Sequence, residues 1–215
     1  MTLNEHSLWK WSLNWGEIMP NIIVGSCPMT PDDIFLLRRK ANVSALLSLQ
    51  HDECLNYWNI DYPAMVQAAQ DLKMVMIRCP IRDFDIPDMR RNLPHAVSTL
   101  NHLLHSHHRT YVHCTAGLGR SPLIVLGDLI WIANYHKEDA IRLILRGRPG
   151  AVPAWEAFHG ACDDLENRYS DEIEMLAYRL YESGQNNDPL MDWDQAKSDI
   201  FNKELLRVSN EHVKQ

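Results

Sequence analysis

The chain has 215 residues, 46% of them hydrophobic, and its 21 basic and 28 acidic side chains give a formal net charge of −7 at pH 7. A chain of this length and composition can bury one core of ordinary size together with an appendage. Its negative charge disfavours nucleic acids and anionic membranes as partners, and its sequence contains no apolar stretch near the ~20 residues that cross a bilayer.

Strands and helices are predicted to alternate along most of the sequence. Short apolar and β-branched runs predict strands, and apolar residues at helical spacing predict helices. In chain order we predict a strand at 22–24, a helix at 31–40, a strand at 43–49, a helix at 62–72, a strand at 74–78, a helix at 88–105, a strand at 109–113, and helices at 122–133, 137–145 and 153–169. Such alternation is typical of the α/β class, in which a mostly parallel central sheet is flanked by helices on both faces.

The character of the chain changes after residue 169. A polar, helix-breaking run at 183–189 separates two further predicted helices at 171–181 and 192–208. Their apolar side chains form a stripe: Leu176, Leu180, Trp193, Ile200, Phe201 and Leu205. Because such a stripe needs a partner, we expect a main domain at 1–169 and a C-terminal helical motif at 170–215 that docks on it, with a solvated tail as the alternative.

A thiol and a guanidinium flank a short loop between the last predicted strand and the helix that follows it. Cys114 and Arg120 have five residues between them, including Gly117 and Gly119. Glycine permits the backbone angles that turn successive N–H groups inward, and such a nest at a helix N-terminus binds an oxyanion. The planar fork of Arg120 can hold two phosphate oxygens, and the same field should depress the pKa of Cys114. This spacing predicts a phosphate-hydrolysing site in which the thiolate takes the phosphoryl group as a cysteinyl-phosphate.

The residues around the predicted nucleophile fit the same chemistry. His113 can orient the loop by hydrogen bonding, and the Ser121 hydroxyl can donate to the sulfur when it departs. A lone cysteine is more often a buried small hydrophobe and a lone arginine a helix-cap residue, but neither alternative explains the whole arrangement. The loop contains no lysine that could meet the extra phosphates of a phosphoinositide, which disfavours that substrate. The predicted phosphate-binding residues are His113, Thr115, Ala116, Gly117, Leu118, Gly119 and Ser121.

The sequence from His113 to Ser121 resembles the signature of the cysteine-dependent phosphatases, and most strongly that of their dual-specificity branch. Within that branch, Cys-Thr-Ala-Gly-Leu-Gly-Arg is similar to the glucan phosphatases, especially the starch-excess and like-starch-excess enzymes of plants and algae. Segments at 20–28, 31–34, 49–52, 57–61 and 82–85 resemble those enzymes in the same order, so the resemblance covers roughly residues 13–165. It implies that 1–169 is a dual-specificity-type phosphatase domain that includes an N-terminal recognition segment.

The resemblance also places a general acid on the loop before the long predicted helix, where Asp83, Asp85 and Asp88 are candidates. Asp83 aligns with the acid of the family and is our first choice, with Asp85 second. Loop solvation or helix capping suits Asp85 or Asp88 better than Asp83. In the implied mechanism Cys114 attacks phosphorus, Asp83 protonates the leaving sugar oxygen and then activates water, and Arg120 stabilises the transferring group. This mechanism requires neither a metal nor another cofactor.

Matched by position, the resemblance nominates Trp15, Tyr57, Trp58 and Phe84 as glucan-binding residues. Aromatic planes can stack on the C–H faces of sugar rings, although burial in the core is the usual alternative for such side chains. His102 stands where those enzymes have a further channel tryptophan, which leaves open whether the C3 or the C6 phosphate of glucose is preferred.

Three functions therefore stay open. We favour a monomeric phosphoglucan phosphatase acting on starch or glycogen. Ser121 stands where the glucan phosphatases usually have alanine, which keeps a dual-specificity protein phosphatase acting on phosphotyrosine, phosphoserine or phosphothreonine as the alternative. A glucan- or phosphate-binding adaptor without turnover is disfavoured by the presence of Cys114, Arg120 and Asp83.

The cysteines and histidines bear on redox state, metals and location. Five scattered cysteines without C-x-x-C spacing fit a reducing compartment. Ser48 replaces the partner cysteine of the starch-excess enzyme, although Cys79 near the acid loop could still pair with Cys114. Four histidines between 102 and 108 suit a solvated helix end better than a metal site. The first residues show no signal-peptide pattern, so we expect a cytoplasmic location, or the plastid stroma if a transit peptide has been removed.

Overall fold

A mostly parallel sheet forms the middle layer of the fold. The computed structural model describes residues 11–184 and 188–212. Within them five strands form one sheet: β1 (Trp15–Met19), β2 (Ile22–Gly25), β3 (Ala45–Gln50), β4 (Val75–Ile81) and β5 (Thr110–His113). Their spatial order is β1-β2-β5-β3-β4, and β2, β5, β3 and β4 run parallel while β1 pairs antiparallel with β2. The α/β class and the mostly parallel sheet expected from the sequence are confirmed.

Helices cover both faces of this sheet. They are α1 (Pro31–Ala41), α2 (Asp52–Tyr57), α3 (Tyr62–Asp71), α4 (Ile86–His105), α5 (Arg120–Gly127), a π-helical turn (Asp128–Ile132), α6 (Lys137–Gly147), α7 (Trp155–Arg168), α8 (Ser170–Ser183) and α9 (Pro189–His212). Successive strand residues point to opposite faces. Leu46 and Tyr111 accordingly pack under α1 and α3, while Leu47 and Val112 pack under α4 to α7. Over the described ranges, no helix is both long and apolar enough to cross a membrane.

The ends of two helices follow from local sequence. α1 begins after Thr30, whose backbone N–H donates to the Asp33 carboxylate at 3.0 Å as part of a capping box. It ends at Asn42, which takes the left-handed conformation with φ 50°. α4 begins after Asp85, whose carboxylate accepts a hydrogen bond from the Asp88 N–H at 2.9 Å. These caps explain why α4 begins two residues before the predicted start at 88.

Two elements and one helix ending differ from the sequence-based expectation. The sequence does not predict β1, an edge strand in which only Ile18 is fully buried, because one buried residue leaves no alternating pattern. It does not predict α2 either, because six residues are too few to show a helical period. The helix predicted at 122–133 divides into α5 and the π-helical turn. The other predicted elements are present, with ends that differ by a few residues.

The C-terminal helices continue the apolar core. Ile200, Phe201 and Leu205 on α9 are buried in the same apolar cluster as the buried residues of α4. The Ser98 hydroxyl on α4 donates to the Leu205 carbonyl at 2.7 Å, and the Phe201 ring meets the Trp131 ring edge-on. α9 thus completes the outer side of the helical layer. The division of the chain at residue 169 stays a prediction.

Candidate active site

The loop after β5 carries the predicted nucleophile at the carboxyl edge of the sheet. β5 lies between β2 and β3, and Cys114 directly follows its last residue. The buried Cys114 sulfur accepts a hydrogen bond from the Gly117 N–H at 3.3 Å. Gly117 has φ 70°, and a Cβ at this position would clash with the Gly25 carbonyl oxygen. Both the backbone angle and the close approach therefore require glycine here.

The surroundings of Cys114 favour its ionised form. Burial by itself raises the pKa of this thiol. The Arg120 guanidinium lowers the pKa, as do the Gly117 N–H, which donates to the sulfur, and the nearby polar hydrogens of Ser121. These favourable interactions together exceed the effect of burial, so the pKa of Cys114 lies below the usual value of 9.0 for a thiol.

Arg120 begins α5 and is completely buried. Its Nη1 donates to the Ile81 carbonyl at the end of β4 at 2.8 Å. Its Nη2 donates to the Asp83 carboxylate at 2.6 Å and to the Thr115 hydroxyl at 3.0 Å. Burial lowers the pKa of Arg120, but the charges of Cys114 and Asp83 more than offset this and raise it. A permanently charged fork is thus fixed between the phosphate-binding loop and the acid loop.

The three candidate acids lie in different environments. Asp83 is the one that forms an ion pair with Arg120, and its side chain is 36% exposed. Asp85 caps α4, and the Asp88 carboxylate accepts a hydrogen bond from the Arg82 N–H at 2.8 Å. Helix capping thus accounts for Asp85 and the hydrogen bond from the Arg82 N–H accounts for Asp88, whereas Asp83 faces the charged fork. The choice of Asp83 as the acid stays a prediction that this geometry supports.

His113 is a neutral, buried imidazole next to the nucleophile. Burial lowers the pKa of His113 to about 4. Its Nδ1 lies 3.2 Å from the Cys114 carbonyl oxygen, which fits a neutral ring that donates from Nδ1. The ring packs 5.9 Å from that of Tyr111, whose hydroxyl donates to the Ser26 carbonyl at 2.7 Å. His113 can therefore orient the first peptide of the loop.

The remaining loop residues line its rim or its outer side. Ala116 and Leu118 are exposed, and Gly119 precedes the first turn of α5. The Leu118 carbonyl accepts a hydrogen bond from the Val152 N–H at 2.7 Å, and the Thr115 carbonyl accepts one from the Cys27 N–H at 2.9 Å. The loop is thus anchored on both sides by neighbouring backbone.

The four predicted glucan-binding residues differ in exposure. Tyr57 and Trp58 lie with their ring centroids 5.2 Å apart, and Tyr57 is 80% exposed. Phe84 is 93% exposed on the acid loop, directly after Asp83, and has φ 58°. Trp15 is half-buried against the core cluster under α1 and α3. Tyr57 and Phe84 thus present their rings to solvent, Trp15 is partly covered, and a glucan-binding role for the four residues stays a prediction.

Sequence reasoning missed three residues that the structure places at the site. The Trp11 ring lies 5.2 Å from that of Trp58, and its Nε1 donates to the Cys27 carbonyl. The Cys54 sulfur lies 3.4 Å from Nη1 of Arg120. Arg148 is buried against the phosphate-binding loop. Their partners lie far away in the sequence, and only the density of tryptophans near the N-terminus could have indicated Trp11.

The predicted pairing of Cys79 with Cys114 stays a prediction. Cys79 is a free, buried thiol 3.5 Å from the Thr99 hydroxyl, and burial raises its pKa. Across the described ranges, no group of three or more His, Cys, Asp or Glu side chains is arranged to hold a metal ion, and this includes the histidines near the end of α4.

Comparison with known proteins gives a consistent picture. Residues 40–160 match the family profile described as dual specificity phosphatase, catalytic domain. The chain is 33% identical over 169 residues to the amyloplastic phosphoglucan phosphatase DSP4 of Castanea sativa, covering 78% of this chain and 44% of that protein. It is 35% identical over 132 residues to the chloroplastic phosphoglucan phosphatase LSF1 of Arabidopsis thaliana, covering 61% and 22%. It is 27% identical over 173 residues to laforin of Mus musculus, covering 74% and 51%. The chain thus spans about half or less of the length of these relatives.

Solved structures share the fold. The crystal structure of PTPMT1 superposes with a TM-score of 0.56 at 19% identity, covering 68% of this chain and 90% of that one. The structure of the kinase associated phosphatase KAP gives a TM-score of 0.58 at 17% identity, covering 76% and 98%. At these identities the likeness concerns the arrangement of strands and helices.

Proposed function

Because the chain belongs to the family of dual specificity phosphatase catalytic domains, we propose that it is a cysteine-dependent phosphatase that removes phosphate monoesters from a glucan such as starch or glycogen. The observation that carries the proposal is the contact geometry of three side chains. The Cys114 sulfur sits under the Gly117 amide with a lowered pKa, and the buried Arg120 joins the loop to Asp83. A thiolate, a fixed cation and a carboxyl group are the parts that phosphoryl transfer through a cysteine needs.

The proposed reaction begins when the substrate phosphate enters the loop. Its oxygens take the donors of Arg120 and the loop amides, and the Asp83 carboxyl is released from Arg120 toward the leaving group. Once released from Arg120, the Asp83 carboxylate takes up a proton from solvent. The Cys114 thiolate then forms a bond to phosphorus while the bond from phosphorus to the sugar oxygen breaks, and Asp83 gives that proton to the sugar oxygen. Water then attacks the cysteinyl-phosphate, Asp83 takes the proton of the water, and inorganic phosphate leaves with the thiolate regenerated.

The surroundings of the loop favour a sugar polymer as the substrate. The loop contributes no lysine for additional phosphates, and the chain carries a net charge of −7, which repels polyanions but is indifferent to a sparsely phosphorylated neutral polymer. Trp11, Tyr57 and Trp58 form an aromatic rim. Phe84 adds an exposed ring beside the proposed acid. The relatives named phosphoglucan phosphatases support this choice.

A dual-specificity protein phosphatase is the second candidate. Ser121 follows Arg120 in place of the alanine usual in glucan phosphatases, and it contributes to the lowered pKa of Cys114. A hydroxyl here favours rapid turnover of the cysteinyl-phosphate on any phosphate monoester, including a phosphorylated side chain.

The deciding experiment compares phosphate release from solubilised amylopectin with release from a phosphopeptide panel, each relative to a generic aryl phosphate. We expect amylopectin to be preferred over peptides. In Trp58→Ala and Phe84→Ala the rate on amylopectin should fall about tenfold, the equivalent of one stacking contact, with the aryl phosphate rate nearly unchanged. Tyr178→Ala, which removes an exposed ring on α8, outside the loop region, is the control. A peptide preference that neither rim substitution alters would assign the protein phosphatase function instead.

Assembly and location belong to the same proposal. We infer a monomer, with a phosphatase domain at 1–169 and a C-terminal motif at 170–215 docked on it. The cytoplasm is the expected location, and the plastid stroma is the alternative supported by relatives described as amyloplastic and chloroplastic.

A further inference from the structure

Arg148 is buried against the phosphate-binding loop and donates hydrogen bonds to the loop backbone. It follows α6 directly and is 8% exposed. Its Nη2 donates to the Ala116 carbonyl at 2.8 Å, and its Nε donates to the Gly117 carbonyl at 3.2 Å. One guanidinium thus holds two consecutive peptide carbonyls of the loop.

The same peptide that Arg148 holds also contacts the nucleophile. A trans peptide is planar, and its C=O and N–H point in opposite directions. In the peptide between Ala116 and Gly117 the carbonyl accepts from Arg148, and the N–H donates to the Cys114 sulfur at 3.3 Å. Arg148 therefore fixes the direction of an amide that stabilises the thiolate. By the same geometry, the hydrogen bond to the Gly117 carbonyl directs the following N–H, that of Leu118, away from Arg148.

The loop needs such an anchor because glycine allows alternative backbone angles. Gly117 has φ 70°, and glycine exchanges between positive and negative φ at little steric cost. Rotation of either peptide would turn a carbonyl oxygen toward the anion in place of an N–H donor. The two hydrogen bonds from Arg148 oppose that rotation.

Arg148 is itself held by the N-terminal segment. Its Nη2 donates to the Asn14 side-chain oxygen at 2.6 Å. The Asn14 N–H donates to the Ser26 hydroxyl at 3.0 Å, and the Asn14 carbonyl accepts from the Ser26 N–H at 2.9 Å. The backbone of Gly147 packs directly on that of Gly16, since a Cβ on Gly16 would overlap the Gly147 carbonyl.

From this chain of contacts we propose that Arg148 is a positioning residue for the proposed phosphatase reaction and that Asn14 positions Arg148. Arg148 does not touch the phosphate. It orients the amides of Gly117 and Leu118 toward the sulfur and the phosphate oxygens, and Asn14 holds the guanidinium in register with the loop. The inference rests on the proposed function for its consequence in turnover, but its geometric part can be measured without turnover.

The test uses the pH dependence of iodoacetate alkylation of Cys114, followed by mass spectrometry of its peptide in the folded protein, together with protection by inorganic phosphate and by vanadate. In Arg148→Met we expect the alkylation midpoint to rise by about one pH unit, a tenfold loss of thiolate, and phosphate protection to need about tenfold more ligand. Arg148→Lys should fall in between, because one ammonium cannot reproduce a planar fork on two carbonyls. Turnover of an aryl phosphate should fall mainly in kcat.

Two substitutions of Asn14 test the same inference: one should cause a smaller shift of the alkylation midpoint, and the other should largely restore it. Asn14→Ala should shift the midpoint in the same direction by a smaller amount, and Asn14→Asp, which keeps an oxygen acceptor, should recover most of that shift. Arg109→Met is the matched control, because Arg109 also bridges backbone carbonyls, those of Ala41 and Pro20, at the opposite end of β5. It should lower thermal stability without moving the midpoint.

The inference is overturned if folded Arg148→Met keeps the wild-type midpoint and phosphate protection, or if Arg109→Met moves them equally. If Arg148→Met does not fold, Asn14→Ala decides by the same criteria, and an unchanged midpoint there overturns it. Shifted midpoints in a protein that hydrolyses no phosphate ester would uphold the positioning role and reject the proposed function, so the two failures are distinguishable.

Discussion

The phosphate-binding loop and the contact between α4 and α9 are held together by opposite means. In the loop, the fully buried Arg120 and His113 are fixed by hydrogen bonds and an ion pair. At the α4–α9 contact, Phe201 and Leu205 are buried among apolar side chains, and the Ser98 hydroxyl donates to the Leu205 carbonyl. The loop orients charge, whereas the helical contact removes apolar surface from water.

This difference indicates that activity and stability depend on separate parts of the molecule. Burying a charged or titratable group opposes folding unless its partners offset the lost hydration. The lowered pKa of His113, about 4, is a sign of that opposition inside the loop region. Apolar burial at α9 contributes to stability without touching the chemistry.

The largest expected effect follows from Cys114→Ser. A serine hydroxyl ionises far less readily than this thiol, so phosphate release from an aryl phosphate should fall by about 10⁴-fold or more. The free energy of unfolding should change by less than about 1 kcal/mol, since the substitution is nearly isosteric. Turnover assays and urea unfolding measure the two quantities. A loss of several kcal/mol in the free energy of unfolding would show that Cys114 serves stability as well as activity.

Phe201→Ala tests the other side of the comparison, since it should reduce stability and leave activity unchanged. Removing a buried ring from the contact with Trp131 should lower the free energy of unfolding by about 3–5 kcal/mol. The protein that stays folded should keep its kcat on an aryl phosphate. The exposed Tyr181→Ala on α8 is the control and should stay within about 0.5 kcal/mol of wild type. A fall in kcat of the folded fraction would show that α9 acts on the site.

Asp83→Asn should affect activity by a smaller factor that depends on the leaving group. Without a proton donor, release from solubilised amylopectin should fall by about 10²-fold, and release from an aryl phosphate by less, because a good leaving group needs little protonation. Asp85→Asn is the matched control, since asparagine caps helices as well as aspartate does. If Asp85→Asn carried the loss, the acid would be Asp85.

Asp128→Asn should change the stability of the protein without changing its activity. Burial raises the pKa of Asp128 to about 6 in the folded protein. Because the folded state holds this proton more tightly than the unfolded chain, stability falls as pH rises from about 4 to about 6. At pH 7.5 the substitution should therefore stabilise the protein by up to about 3 kcal/mol, and below pH 4 the gain should vanish. Thermal unfolding at both pH values, with turnover unchanged, is the measurement.

The phosphate-binding loop could be predicted because the residues that carry its chemistry lie close together in the sequence. Cys114, Gly117 and Arg120 meet through one loop and one helix turn, and their pattern needs no tertiary information. The mostly parallel sheet followed in the same way from the alternation of strands and helices along the chain. The choice of Asp83 as the acid depended on the family resemblance, because Asp83 lies 37 residues before Arg120, with which it forms an ion pair.

The residues that were missed depend on contacts between distant segments. Asn14 and Arg148 are 134 residues apart in sequence, and neither position carries a local pattern. Trp15 was nominated for glucan binding by the resemblance alone, and its packing, half-buried against the core cluster under α1 and α3, is a tertiary feature that no local pattern predicts. Edge strand β1 and six-residue α2 lacked the periodicity on which prediction depends.

The burial of Phe201 and Leu205 against α4 also has a consequence for how the protein is made. During synthesis α4 leaves the ribosome long before these residues do, so its outer apolar face stays uncovered on the nascent chain until α9 emerges. A ribosome-bound chain halted before residue 200 should therefore present that face to chaperones, while the sheet and the loop beneath it have already been translated.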